Sequence, residues 1–207
     1  KKGPQKNTKV FATVSPAALG NKVLFPFSGG SLVALKAVNG IEEWEINLEN
    51  SNIGSASAVL GDFASDPAVY GSTIFGVGAF GETFSATKSG KVLWRNNIQS
   101  SSRLVVSGNS AFYSSNNSLI GRINSKNGKI VFLKEFTGKR WVKYHGPLLL
   151  QNKLLVLATD KNAYWFSPED GRLLNKEKLG KKISSSPIVV NKRLMFVSED
   201  GMLNILN

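Results

Sequence analysis

Apolar residues in this chain gather in short runs closed by turn signals. "KLLVLAT" (153–159) and "RLMFVS" (193–198) are apolar at both odd and even positions. Runs of that length, flanked by Gly, Asn and Asp, predict β-strands. No segment of helical length holds a clean 3.6-residue period. A strand with one wet face alternates apolar and polar residues, whereas a strand buried on both faces reads as an unbroken run. The predicted strands are therefore packed between layers.

The runs are organised into five similar segments: "SPAALGNKVLFPFSGGSLVAL", "DPAVYGSTIFGVGAFGETFSA", "RLVVSGNSAFYSSNNSLIGRI", "GPLLLQNKLLVLATDKNAYWF" and "SPIVVNKRLMFVSEDGMLNIL". Each reads as strand, tight turn, strand, turn, strand. Pro16, Pro67, Pro147 and Pro187 hold the same place in four of them, and Leu104 holds it in the other. The dipeptides GN (20–21), GG (29–30), GN (108–109) and DG (200–201) are hairpin signals.

A glycine turn follows the third strand in "AVNGIEEW", "TKSGKVLW", "SKNGKIVF" and "PEDGRLLN". The glycines are Gly40, Gly90, Gly128 and Gly171, spaced by 50, 38 and 43 residues. Four positions later stand Trp44, Trp94, Phe132 and Asn175. A hairpin loop commonly ends on a residue at positive φ, which glycine adopts without steric cost. The unit is thus a four-stranded antiparallel meander of about 43 residues, in the range of one propeller blade. The aromatic near the start of the outermost strand is expected to wedge between neighbouring blades. Burying a side chain of that size contributes on the order of 3 kcal/mol.

The fold class that follows is all-β: a β-propeller of four-stranded antiparallel blades, about four to five in this chain. Residues 1–207 form a single propeller unit, with approximate blades at 10–48, 62–98, 103–136, 142–179 and 183–207. Composition agrees, with 20 glycines, 42% apolar residues and 19% charged residues in 207.

Composition also narrows the chemistry. Without cysteine, the chain has no disulfide framework, thiolate metal site or cysteine nucleophile. One histidine, His145, rules out a multi-histidine metal cage. A Ser–His–Asp triad would have to use it, but "YHGP" reads as a strand entry. The carboxylates Glu42, Glu43, Glu169, Asp170, Glu199 and Asp200 fall in or beside turns and are expected to be solvated. "FGVGAFGE" (75–82) contains G-x-G-x-x-G at Gly76, Gly78 and Gly81. It lies between two strands, where a dinucleotide site needs a strand before and a helix after. A hairpin or bulge is expected there. No catalytic residue, metal site or cofactor site emerges.

The net charge of +12 is uneven: residues 101–207 hold 17 Lys/Arg and 7 Asp/Glu. A basic propeller binding nucleic acid or anionic lipid would need Lys139, Arg140, Lys143, Lys181 and Lys182 on one face, with Trp141 and Tyr144 stacking on bases. The lysines are scattered, and a solvated surface is the simpler reading.

"ALKAVNGIEEW" and "FSPEDGRLL" (166–174) resemble the quinoprotein-type (PQQ-like) propeller repeat. The order of "DFASDPAVYGSTIFGVGAFGETFSATKSGKVLW", "WVKYHGPLLLQNKLLVLATD" and "SSPIVVNKRLMFVSEDGMLNIL" is similar to the BamB-like family of propeller lipoproteins of the outer-membrane barrel-assembly machinery. The resemblance implies a non-catalytic scaffold, lipid-anchored on the periplasmic side of the bacterial outer membrane. Its partners would be the central (BamA-like) barrel-assembly subunit and unfolded barrel clients, with no small-molecule substrate. It also implies an eight-bladed whole, of which the first blades and the anchor would lie upstream of this chain. A degenerate quinoprotein without its cofactor is the other reading within the same repeat family. The family's acidic partner-binding loop, D-x-D-x-x-P, corresponds to "DFASDP". Asp62 matches its first acid, Ala64 stands at its second, and Asp66 lies just before Pro67. Phe11 falls near the family's arginine-bearing loop. Asp62 and Asp66 are the candidate partner-binding residues. Asp62 also suits a turn-capping role.

Overall fold

The computed structural model describes residues 14–27, 29–48, 62–79, 81–98, 100, 102–115, 117–137 and 142–206. Phe11, Lys139, Arg140 and Trp141, and the start of the first expected blade, lie outside them. The described residues form five antiparallel sheets, each a simple meander.

Sheet one comprises β1 (Ala17–Leu19), β2 (Lys22–Phe27), β3 (Ser31–Lys36) and β4 (Glu42–Asn47). Sheet two comprises β5 (Ala68–Tyr70), β6 (Thr73–Val77), β7 (Glu82–Thr87) and β8 (Val92–Asn97). Sheet three comprises β9 (Val105–Ser107), β10 (Ser110–Ser114), β11 (Leu119–Asn124) and β12 (Ile130–Glu135). Sheet four comprises β13 (Tyr144–Leu150), β14 (Lys153–Ala158), β15 (Asn162–Phe166) and β16 (Leu173–Lys178). Sheet five has three strands, β17 (Ile188–Val190), β18 (Arg193–Val197) and β19 (Leu203–Leu206). This is a β-propeller architecture, each sheet one blade.

The unbroken apolar runs are explained by what lies on either side of them. Along β14, Leu154, Val156 and Ala158 pack toward sheet three, where they meet Phe112 and Ile120. Leu155 and Leu157, on the opposite face, join Ile183 and Phe196 of the last segment. Similarly, Ala111 and Tyr113 of β10 pack on Phe75 and Val77 of sheet two, while Phe112 between them faces sheet four. Four apolar clusters thus alternate with the sheets. Each large aliphatic or aromatic side chain in them contributes about 1.5–3 kcal/mol of transfer free energy.

The "FGVGAFGE" stretch is a β-hairpin. Gly76 lies in β6, opposite Phe84, and Gly78 bridges Phe63. A Cβ on Gly76 would collide with the Phe84 ring, 2.4 Å from Cε1. Gly76 makes room for the Phe84 ring, and Gly78 for the Leu48 side chain of sheet one's segment.

The outer strands are wetter than the inner ones. All six residues of β16 are exposed, and in β12 only Phe132 is buried. An outer strand has a sheet neighbour on one side only, and its buried residues are those that reach the adjacent blade.

Candidate functional site

The repeated glycine takes positive φ in all four complete sheets. Gly40, Gly90, Gly128 and Gly171 have φ of 68°, 85°, 71° and 73°. Three of these N–H groups close the turn onto the carbonyl four residues back, of Lys36, Asn124 and Ser167; that of Gly90 bonds Thr87. A register shift follows in each sheet, between Ala34/Leu35, Ser85/Ala86, Arg122/Ile123 and Trp165/Phe166. The bulge sets the residue four after the glycine opposite a fixed position on the third strand: Trp44 faces Ala34, Trp94 faces Ser85, Phe132 faces Arg122 and Asn175 faces Trp165.

From that position the aromatic reaches the next sheet's glycine. A Cβ on Gly90 would lie 2.6 Å from Trp44 Cγ, and one on Gly128 would lie 2.7 Å from Trp94 Cε3. On Gly171 it would collide with the Phe132 ring. So glycine serves twice here: it takes the positive φ, and its bare Cα gives the neighbouring ring a seat. The indoles also donate hydrogen bonds, Trp44 Nε1–H to Lys88 O at 3.1 Å and Trp94 Nε1–H to Ser125 O at 2.9 Å. Phenylalanine has no such donor. In the third interface Arg122, the cross-strand neighbour of Phe132, reaches the same turn instead. Its Nη1–H groups lie 3.3 Å from Pro168 O and 3.5 Å from Glu169 O. Sequence reading missed Arg122, because its part depends on the register between β11 and β12. In sheet four the docking place is taken by exposed Asn175, and the aromatic has moved across to Trp165, which packs in the cluster between sheets four and five.

The acidic loop turns inward. Asp62 is 8% exposed, and its Oδ1 accepts the Gly29 N–H at 2.7 Å. Its own carbonyl accepts the Ala79 N–H at 2.8 Å. Asp66 Oδ1 accepts the Ser15 N–H at 2.6 Å. Both carboxylates therefore bind backbone donors of the first sheet's segment and tie it to the second. Arg95 adds a further tie: it pairs with Glu82, donates to Asn47 O at 3.0 Å and lies over the Phe84 ring.

The remaining charged groups are dispersed or paired. Lys181 bonds Asp200 at 2.8 Å, and Lys182 lies 3.4 Å from Glu199. Lys181 and Ser198 hold the Asp200 carboxyl down at about 2. His145 lies in β13 opposite Leu157, and burial, with the nearby Lys143 charge, lowers its pKa. Among the described residues, no three of His, Asp and Glu gather as a metal-binding group.

The family model of the outer membrane protein assembly factor BamB matches residues 1–134. Among curated proteins, the assembly factor BamB of Legionella pneumophila (strain Paris) is 28% identical over 204 residues, spanning 95% of this chain and 51% of its own length. BamB of Escherichia coli (strain K12) is 20% identical over 174 residues, covering 83% of this chain and 44% of the relative. This chain thus spans about half the length of the curated relatives it matches. The crystal structure of BamB from Moraxella catarrhalis aligns with a TM-score of 0.86 at 18% identity, over 99% of this chain and 61% of that one. The WD40 β-propeller domain of Doa1 aligns at 0.67 and 16% identity, over 93% and 62%. The glycine–aromatic register, the propeller sheets and the family match over more than half of the residues agree: this chain belongs to the outer membrane protein assembly factor BamB family of PQQ-like β-propellers.

Proposed function

We propose that this chain is part of a non-catalytic binding subunit of the machinery that assembles barrel proteins into the bacterial outer membrane. The family match over residues 1–134 carries this reading. The subunit sits on the periplasmic side of the outer membrane through a lipid anchor. It binds the central barrel-assembly subunit and presents a rigid surface to unfolded barrel clients.

The outer strands suit strand addition. Strands β12 and β16 each pair with one neighbour among the described residues and carry exposed Ile130, Val131, Leu133, Leu173 and Leu174. An extended client gains main-chain hydrogen bonds at such an edge, without strict demands on its sequence. Asp62 and Asp66 act in this reading by fixing the loop that leads into sheet two. That loop, and not a free carboxylate, is the surface offered to the partner.

The test is affinity purification of the tagged full-length protein from detergent-solubilised envelopes. The central barrel-assembly subunit should co-purify, and the protein should fractionate with the outer membrane. Recovery of the protein alone, or in the cytoplasmic fraction, overturns the proposal.

A further inference from the structure

A cleft of about 200 Å³ opens between sheets three and four beside Arg122. Ser107, Ser110 and Asn152 contribute polar side chains to its lining, and Phe112 and Leu149 contribute apolar ones. The segment Pro168–Glu169 closes one side. Arg122 is a half-buried cation that pairs with no carboxylate among the described residues. Among the described residues its hydrogen bonds are the two long ones to Pro168 O and Glu169 O, and its Nε–H, out of solvent, has none. The guanidinium lies 6.0 Å over the Phe112 ring, a further weak stabilisation.

A guanidinium offers five donors in a planar fork and is held most strongly by a planar anion. Leaving it half-buried and unpaired is costly, and the cost falls when an anion enters. At the same third-strand position, the other complete sheets carry Ala34, Ser85 and Trp165, so no other sheet puts a charge there. The β13–β14 turn holds both Gln151 and Asn152 at positive φ, 46° and 57°, and Asn152 lines the cleft.

We infer that this cleft is a binding site for a carboxylate, held by the Arg122 fork with Ser110 and Asn152 as further donors. The shared chemistry is a single planar carboxylate. It can come from an acidic side chain of a bound polypeptide or from a small free carboxylic acid. The apolar walls of Phe112 and Leu149 would take the methylene stem in either case. The inference stands independently of the assembly role.

The experiment is a two-dimensional amide NMR titration of the protein with N-acetyl-glutamate amide, with acetate and, as a neutral control, with N-acetyl-glutamine amide. The blocked glutamate should move the Ser110, Arg122 and Asn152 signals saturably, with the glutamine analogue at least about tenfold weaker. Equal binding of acetate points to a free acid as the ligand; preference for the blocked glutamate points to a side chain. R122Q should abolish the shifts, whereas R122K, which keeps the charge without the fork, should weaken binding several-fold. Each variant is compared at matched amide dispersion. Glu169 is the nearby acid that could serve as an internal occupant, and E169Q tests it. Unchanged affinity in E169Q supports an external ligand. Tightening of about tenfold shows that Glu169 already fills the site and overturns the inference. Absence of saturable shifts, equal binding of the glutamine analogue, or full binding by R122Q also overturns it.

Discussion

Trp94 closes over Gly128: the indole donates to Ser125 O at 2.9 Å, and a Cβ on the glycine would sit 2.7 Å from the ring. Gly40 has nearly the same backbone, φ 68° against 71°, but no described residue lies within 4 Å of its missing Cβ. The pair separates the two demands on the repeated glycine. In this chain, Gly40→Ala should cost the left-handed strain, about 1 kcal/mol. Gly128→Ala adds a collision with the buried Trp94 and should cost about 2–4 kcal/mol. Urea midpoints measure both. Equal losses would show that the ring is not seated on the glycine.

The indole donor is separable from the ring. Trp94 is 8% exposed, and Trp44 is half-buried. Trp94→Phe keeps most of the packing but strands Ser125 O, at a cost of about 1–3 kcal/mol. Trp44→Phe leaves Lys88 O near water and should cost well under half of that. A larger loss for Trp44→Phe would contradict the burial difference between the two interfaces.

Asp62 supplies a third case. Its carboxylate accepts the Gly29 N–H at 2.7 Å from a nearly buried position. Asp62→Ala should cost about 1–3 kcal/mol by stranding that donor. Asp62→Asn, which keeps an acceptor oxygen, should cost less. If Asp62 serves partner binding through the loop it holds, Asp62→Asn retains the central subunit in the pull-down. Loss of the partner by Asp62→Asn with unchanged stability would instead make the charge itself the contact.

The glycine–aromatic register was legible because two separate constraints, positive φ and a seat for a ring, fall on residues with strong signatures. The strands were legible for a related reason: burial on both faces leaves unbroken runs, as in Leu154–Ala158. What sequence could not give was direction. "DFASDP" carries its acids visibly, but whether Asp62 points to solvent or to Gly29 depends on how sheet two leans on sheet one. Arg122 was hidden because it gains meaning only from the register that sets it opposite Phe132. Sheets four and five also open with turns that lack the glycine found at Gly20, Gly71 and Gly108.

Those glycine-free turns make a prediction of their own. Gln151 sits at φ 46°, where the first three sheets place glycine at φ 59°, 60° and 56°. A side chain with a Cβ pays about 1–2 kcal/mol there, partly offset by the greater unfolded-state freedom of glycine. Gln151→Gly should therefore stabilise the protein by up to about 1 kcal/mol, raising Tm by about 2–4 °C in calorimetry. A fall in Tm would mean that the Gln151 side chain makes a stabilising contact outweighing the strain.

The last prediction concerns acid. His145 lies in β13, and burial, reinforced by the Lys143 charge, lowers its pKa below the ordinary 6.5. The unfolded chain therefore binds a proton at a pH where the folded protein does not. In that window the unfolded state holds more protons, so stability rises with pH and falls as pH drops. The contribution is complete above about pH 6.5 and is lost progressively below it, down to the depressed folded value. Urea midpoints should decline from pH 7.5 to 5, and His145→Gln should flatten that decline while the carboxylate-driven loss at lower pH persists. The imidazole Cε1–H signal, followed by NMR, should titrate below the free-histidine value. A midpoint near 6.5 or above, or an unchanged slope in His145→Gln, would show that the ring is solvated in the folded protein.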